Sequence, residues 1–269
     1  MTSSSQGNTS RATLGVAIIT KNAAADLDTC LSRLDKIYDQ LVIVDSGSSD
    51  ETQAIARRYT DEFYTHDDWP GFGKQRQRAQ QYLTTDWVLF IDADEFVTDE
   101  LKQSIIQVLT TNPTDSCYKI NRLSIAFGKA IHHCGWNPDW VTRLYRREQT
   151  HYNDALVHEH LVIPENVKVK PLDGRMEHLT CRNITQYVQK TQGYMKAWAD
   201  QREGKKKSSL GSALSHSLFR FIRMYILKLG FLDGRHGLLL SILSAYTVFV
   251  RYSDLWLRQS VNRKEDNDL

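Results

Sequence analysis

Asp92 and Asp94 stand two apart at the end of the apolar run Trp87-Val88-Leu89-Phe90-Ile91. On an extended segment that spacing points both side chains the same way. A pair of carboxylates aimed together suits a hard divalent cation carrying phosphate, Mg²⁺ or Mn²⁺. A second acidic stretch, Asp45-Ser46-Gly47-Ser48-Ser49-Asp50-Glu51-Thr52, ends the run Val42-Ile43-Val44. Acidic residues also cap strands and open turns, which is all that one such cluster would say. Two at successive strand ends favour a ligand, because open α/β sheets bind ligands outside the carboxyl ends of their strands. Asp45 is placed there to accept hydrogen bonds from a nucleobase N–H or a ribose hydroxyl. Thr20, Lys21 and Asn22, ending an earlier apolar run, line the same pocket.

Lys74 follows Gly71-Phe72-Gly73 and opens a helix, with Arg78 one turn later on the same face. Positive charge and a helix N-terminus together suit a phosphate. With Arg76, the same residues also fit a solvated basic helix face. The spacing is not that of a Walker loop, and no Ser or Thr follows the lysine. Glu159, in Val157-His158-Glu159-His160, is a carboxylate between two histidines, an arrangement that suits general acid–base work in a partly enclosed site. His158 and His160 lie on one face of a strand and admit a zinc reading, but no third ligand stands at a recognised spacing and His-Glu-x-x-His is absent. Trp136 and Arg143 fit sugar or phosphate contacts, and Trp136 equally fits a core.

The elements that must position these residues alternate through the first half. Leu14–Thr20 reads as a strand, Ala25–Tyr38 as a helix, Leu41–Val44 as a strand and Ser49–Tyr59 as a helix. Phe63–Thr65 is a short strand, Lys74–Leu83 a helix, the next strand ends at Asp92, and Thr98–Leu109 is a helix. Strand–helix alternation with short connections implies a doubly wound parallel sheet. After Asn112 the pattern loosens into short strands at 116–122, 140–146 and 167–172.

At 269 residues the chain holds one large domain, or one domain with an appendage. Its net charge of +2 is unevenly spread: residues 1–100 carry 9 Lys and Arg against 17 Asp and Glu, and the remainder 25 against 15. The half with the candidate chemistry is therefore acidic and the other basic. Cys30, Cys117, Cys134 and Cys181 show no Cys-x-x-Cys spacing, which points to a reduced, cytosolic-side protein. Residues 1–13 are Ser/Thr-rich without an apolar core, so they are expected to be disordered and not a signal peptide.

These motifs, taken in order, resemble the family 2 inverting glycosyltransferases with a GT-A fold. The match lies in Val44–Thr52 and Asp92-Ala93-Asp94-Glu95. Asp68-Trp69-Pro70-Gly71-Phe72-Gly73-Lys74-Gln75-Arg76-Gln77, Gly135-Trp136, Arg143-Leu144-Tyr145 and Val157-His158-Glu159 narrow it to the lipopolysaccharide core β-1,4-glucosyltransferases. It runs from about Leu14 to about His178, and more loosely beyond. The resemblance implies an α/β GT-A domain over 14–180, doubly wound with a mostly parallel sheet and flanking helices. It implies transfer of glucose from UDP-glucose, with inversion, to a heptose of a lipid-anchored inner-core oligosaccharide. Asp45, Thr20, Lys21 and Asn22 would hold the nucleoside, and Lys74, Arg78 and Asp92 the diphosphate. Asp94, Asp92 and His178 would take a divalent metal, and Glu159 the acceptor's proton. Ala23 departs from the family, which usually has Glu after Lys-Asn.

Residues 181–269 read as a helical, basic and amphipathic segment. Gln201–Arg235 carries eight Lys and Arg against two acids, and Gly237–Val250 is uncharged. Fourteen residues fall short of the ~20 needed to span a bilayer, so a core or interfacial helix is expected. Basic residues beside apolar ones favour an anionic membrane surface, here the cytoplasmic face of a bacterial inner membrane, held peripherally. Packing on the catalytic domain or dimerisation would use the same residues. No nucleic-acid partner is expected. Two further functions fit parts of the pattern: a metal-dependent nucleotidyltransferase or phosphohydrolase using Asp92 and Asp94, and a non-enzymatic membrane adaptor on a GT-A scaffold.

Overall fold

The protein's computed structural model describes residues 11–35, 37–156 and 159–265. Of the stretch 1–13 expected to be disordered, residues 1–10 lie outside them, as does His158 of the zinc reading; residues 11–13 are held in place, with Ala12 buried and its N–H on Leu109 O, and Thr13 hydrogen-bonded to Asp86. The chain divides into two compact units. Unit 1 comprises residues up to Arg122 and Asp139–His178; unit 2 comprises Leu123–Pro138 and Leu179 onward.

Unit 1 is built on the apolar runs. β1 (Leu14–Thr20), β2 (Gln40–Asp45), β3 (Phe63–Thr65) and β4 (Trp87–Asp92) pair in parallel in the order β3-β2-β1-β4. Every residue of β1 is buried, as are five of the six in β2 and in β4. Parallel strands covered on both faces need such continuous apolar sequence. The connections carry α1 (Ala24–Ser32), α2 (Thr52–Ala56) and α3 (Phe72–Gln81). α1 stops at Ser32, short of the expected Tyr38. Leu34 and Ile37 still reach the core, but on tight turns closed by the Leu34 N–H to Leu31 O and Ile37 N–H to Leu34 O hydrogen bonds.

The looser sequence after β4 builds the antiparallel part of the sheet. It comprises β5 (Glu95–Val97), then, after α4 (Asp99–Thr111), β6 (Ser116–Ala126), β7 (Lys129–Ala130), β8 (Asp139–Arg146) and β11 (Lys168–Cys181). The sheet continues from β4 in the order β8-β6-β11-β5, with β7 on β6. β9 (His151–Tyr152) and β10 (Leu161–Val162) form a separate ribbon. The α/β class with flanking helices is as expected, with the antiparallel strands all on one side of β4.

Two registers matter for the site. Thr20 pairs with Asp45, and Ile19 with Asp92, so both acidic clusters end beside the end of β1. On the far strand, His178 pairs with Glu95, one position from Asp94.

Unit 2 is mainly helical, with α5 (Ile184–Asp200), α6 (Leu210–Ile222) and α7 (Gly234–Glu265). A Ser209–Ser212 capping box opens α6. Ala213, Val248 and Tyr252 form one core with Trp198 and Phe249 against it. Cys134, Cys181, Met224 and Leu240 belong to another, on which Trp136 packs. The regular helix ends at Ile222 in a π turn (Arg223–Leu227), followed by a 3₁₀ turn (Gly230–Asp233). By length and composition alone, the helical stretch Gly230–Ser260 could cross a membrane. All four cysteines are free and buried.

Candidate active site

The carboxyl ends of β1, β2 and β4 bring the acidic clusters together, and each is already engaged. Asp45 is buried; its Oδ1 accepts from the Thr20 hydroxyl (2.8 Å) and the Ser48 hydroxyl (2.6 Å), and its Oδ2 from the Ser48 N–H (2.7 Å). Thr20 is thereby buried as a support for Asp45. Asn22, at φ 51° in the left-handed region, staples the two loops: its N–H donates to Ser48 Oγ (2.7 Å) and its Oδ1 accepts from the Ser49 N–H (2.9 Å). Lys21 is exposed beside it, and the Ala23 N–H donates to Thr52 Oγ1.

Asp92 is the hub of a charge network. Its Oδ1 accepts from Arg76 Nη2 and its Oδ2 from Arg143 Nη2, each at 2.7 Å. Arg76 Nε donates to Glu159 Oε1 at 3.0 Å. Arg143 Nη2 and Arg122 Nη1 both reach Glu95 Oε1 at 3.1 Å, and Glu95 Oε2 accepts the Asp92 N–H at 2.9 Å. Arg122 ends on Asp139 at 2.7 Å. Burial alone would raise the Asp92 carboxyl, but the Arg143 and Arg76 charges outweigh it and hold it well below the usual carboxylate range. Burial would lower both guanidiniums, and the carboxylates keep them charged, Asp92 foremost.

Asp94 stands apart from these arginines. Its Oδ2 lies 3.6 Å from His178 Nε2, and both side chains are partly open, at 31% and 19% exposure. An acidic oxygen and an imidazole nitrogen at that distance form an open-sided pair that fits a divalent cation whose remaining ligands are phosphates and water. Among the described residues, no group of three His, Cys, Asp or Glu side chains forms a closed metal cage. With both oxygens of Asp92 on guanidiniums, Asp94 and His178 are the better-placed ligands.

α3 carries the basic residues on different faces. Arg76 is buried at 3% side-chain exposure, its guanidinium 4.7 Å from the Phe90 ring centroid and 5.2 Å from that of Tyr152. Lys74 is exposed, and Arg78 forks onto Asp68 (2.6 and 3.0 Å). The N–H groups of Phe72 and Gly73, which open α3, donate to Leu156 O and Ala155 O, so Lys74 offers an anion its ammonium more than those amides. A Cβ on Gly73 would run into Asn153 O, so glycine is what lets the helix start against this loop. That docking places α3 beside Glu159, whose side chain is 15% exposed. His160 is turned to Asn153, with a ring nitrogen 3.0 Å from Asn153 Nδ2.

The Glycosyl transferase family 2 profile matches residues 15–133. Residues 15–133 thus carry a family 2 glycosyltransferase domain. The chain is 28% identical to an uncharacterised glycosyltransferase of Rickettsia prowazekii, over 88% of this chain and 85% of the relative. It is 26% identical to the lipopolysaccharide core biosynthesis glycosyltransferase LpsC of Rhizobium meliloti, over 89% of this chain and 93% of LpsC. Among solved structures, S. aureus TarS (residues 1–349) is similar over 92% of both chains, at 13% identity and a TM-score of 0.43.

Arg76, Glu95 and Arg122 of this transferase's network lay outside the sequence-derived site, whereas Arg143, expected at sugar or phosphate, is found on Asp92 and Glu95. The first had a legible signal. Arg76, Ala79 and Leu83 share a helical face, and all three are buried.

Proposed function

We propose that this transferase moves glucose from UDP-glucose, with inversion, to a heptose of a lipid-anchored lipopolysaccharide inner core, forming a β-1,4 linkage. The observation that carries the reaction class is the convergence at one end of the sheet of the Asp92–Asp94 pair, His178 and Glu159. The full-length similarity to LpsC supports the core acceptor.

Asp45, positioned by Thr20 and Ser48, accepts from the uracil or ribose, with Lys21 and Asn22 on the same rim. Lys74 meets the diphosphate, and Arg78, swinging from Asp68, assists. Asp94 and His178 would hold Mg²⁺ or Mn²⁺, which would supply positive charge to the diphosphate leaving group. Asp92, gripped by Arg76 and Arg143, fixes the turn that presents Asp94. Glu159 takes the acceptor hydroxyl's proton as that oxygen attacks the anomeric carbon and UDP leaves. Arg76, on Oε1, leaves Oε2 for the proton. The lipid anchor of the acceptor calls for work at the cytoplasmic face of the inner membrane, with the protein attached peripherally.

The test is incubation of purified protein with UDP-glucose and a heptose-terminated core acceptor, with product analysis by NMR. A β-glucosyl product and free UDP are expected. Release of pyrophosphate or phosphate instead would favour the nucleotidyltransferase or phosphohydrolase chemistry.

A further inference from the structure

The turn between α6 and α7 holds apolar side chains outward on a backbone that is itself anchored. Ile226, Leu227, Leu229, Phe231 and Leu232 are between 46% and 63% exposed, five large apolar side chains within seven residues. A soluble surface scatters such residues singly, and a contiguous set marks an interaction site.

The backbone beneath them is pinned from inside unit 2. Met224 is buried, and the Cys134 N–H donates to Lys228 O at 3.0 Å. Leu229 adopts φ 54°, a left-handed conformation rare for leucine. Gly230 is packed so closely that a Cβ would meet Met224 O and Cys134 Sγ. Buried Asp233 closes the turn by accepting the N–H groups of His132 and His133. The apolar side chains are therefore displayed by the fold and are not a frayed end.

The charge around them identifies the partner. From Gly204 to Ser253 there are eight Lys and Arg and a single acid, Asp233, which is spent on those amides. Lys228 sits within the turn, and Arg223 and Arg235 flank it, all three exposed. A second copy presenting the same face would set like charges against each other. An anionic bilayer offers acyl chains to the apolar residues and phosphate to the basic ones at one interface.

We propose that this turn is a wedge that inserts into the headgroup region of an anionic membrane, with Lys228, Arg223 and Arg235 on the lipid phosphates. The proposal deepens the membrane part of the proposed function and rests on it.

Full-length protein would be floated with vesicles of phosphatidylcholine alone, or of phosphatidylcholine with phosphatidylglycerol. Native protein should bind the anionic vesicles and bind the neutral ones weakly. The Leu227→Ser/Leu232→Ser variant should lose about tenfold or more of that binding. Lys228→Glu/Arg235→Glu should lose a similar factor on anionic vesicles only. All four positions are exposed, so circular dichroism should match that of native protein. Because the native cysteines are buried, an environment-sensitive dye on Leu232→Cys reports this position, and its emission should shift to the blue on anionic vesicles.

Unchanged binding of both double variants with no dye shift would overturn the wedge. So would native protein that ignores both vesicles, or a dimer in sedimentation that the serine variant dissolves. UDP binding by the same preparation reads unit 1 separately, so failure of the wedge and failure of the transferase reading are distinguishable.

Discussion

Replacing Arg76 by methionine removes the guanidinium that joins Asp92 to Glu159 while keeping most of the side chain's packing volume. Arg76 is buried, and its two ion pairs measure 2.7 and 3.0 Å. Removing one partner of a buried ion pair costs roughly 3–5 kcal/mol. Two features place this case at the lower end. Asp92 keeps Arg143 at 2.7 Å, and Asp92 and Glu159 are partly solvent-accessible and can be rehydrated. The guanidinium's position over the Phe90 ring adds a smaller loss, of about 0.5–1 kcal/mol. The expected destabilisation is about 3 kcal/mol, a fall in the urea midpoint of ~1.5 M at a slope of ~2 kcal/mol/M. Because the pairs are buried, the difference should persist at high salt. Arg76→Lys restores the charge but cannot reach both carboxylates with separate donors from one plane, so it should recover about half of the loss. Equilibrium urea unfolding of the three proteins, followed by fluorescence and circular dichroism, measures this. A methionine variant within ~0.5 kcal/mol of native, or a lysine variant no better than methionine, would refute the reasoning.

Asp92→Asn tests the same network by pH. The folded-state pKa of Asp92 lies below its unfolded value of ~3.9, so ionised Asp92 stabilises the fold above that value and the contribution is lost as pH falls through the folded one. The gap between native and variant in urea unfolding should be about 2–3 kcal/mol at neutral pH and close in acid below pH ~4; a gap independent of pH would contradict it. Glu159→Gln should leave UDP binding intact and lower kcat by about 10²–10⁴-fold, checked by calorimetry and initial rates. Asp94→Asn should abolish the Mn²⁺ dependence of UDP binding in calorimetry while leaving the thermal midpoint nearly unchanged. Gly73→Ala should push α3 off Asn153 and Ala155; lowered thermal stability together with lost transfer would be the sign.

The parallel half of the sheet was legible because burial on both faces demands unbroken apolar runs, and 14–20, 41–44 and 87–91 are such runs. That the acidic clusters share one end of the sheet was legible because carboxylates close two of these runs. The arginine network was not, since a charged residue on a helix reads as solvated unless its buried carboxylate partners are known. Arg76 shares its face with Ala79 and Leu83, yet Lys74 and Arg78 beside it suggest a basic surface. Glu95 and His178 come together only through the β5–β11 register, and three-residue β5 leaves little periodicity to read. In the C-terminal third, charge and hydrophobicity were plain. The outward turn at 226–232 depends on Leu229 in a left-handed conformation and on close packing at Gly230, and neither has a local sequence signature.

The most direct measurement of the central claim is calorimetric titration of UDP, UDP-glucose, UDP-galactose and UDP-N-acetylglucosamine into the purified protein, with Mn²⁺ and with chelator. Metal-dependent binding of UDP, with preference for UDP-glucose, is the expected result. Folded protein that binds no uridine nucleotide under either condition would contradict it.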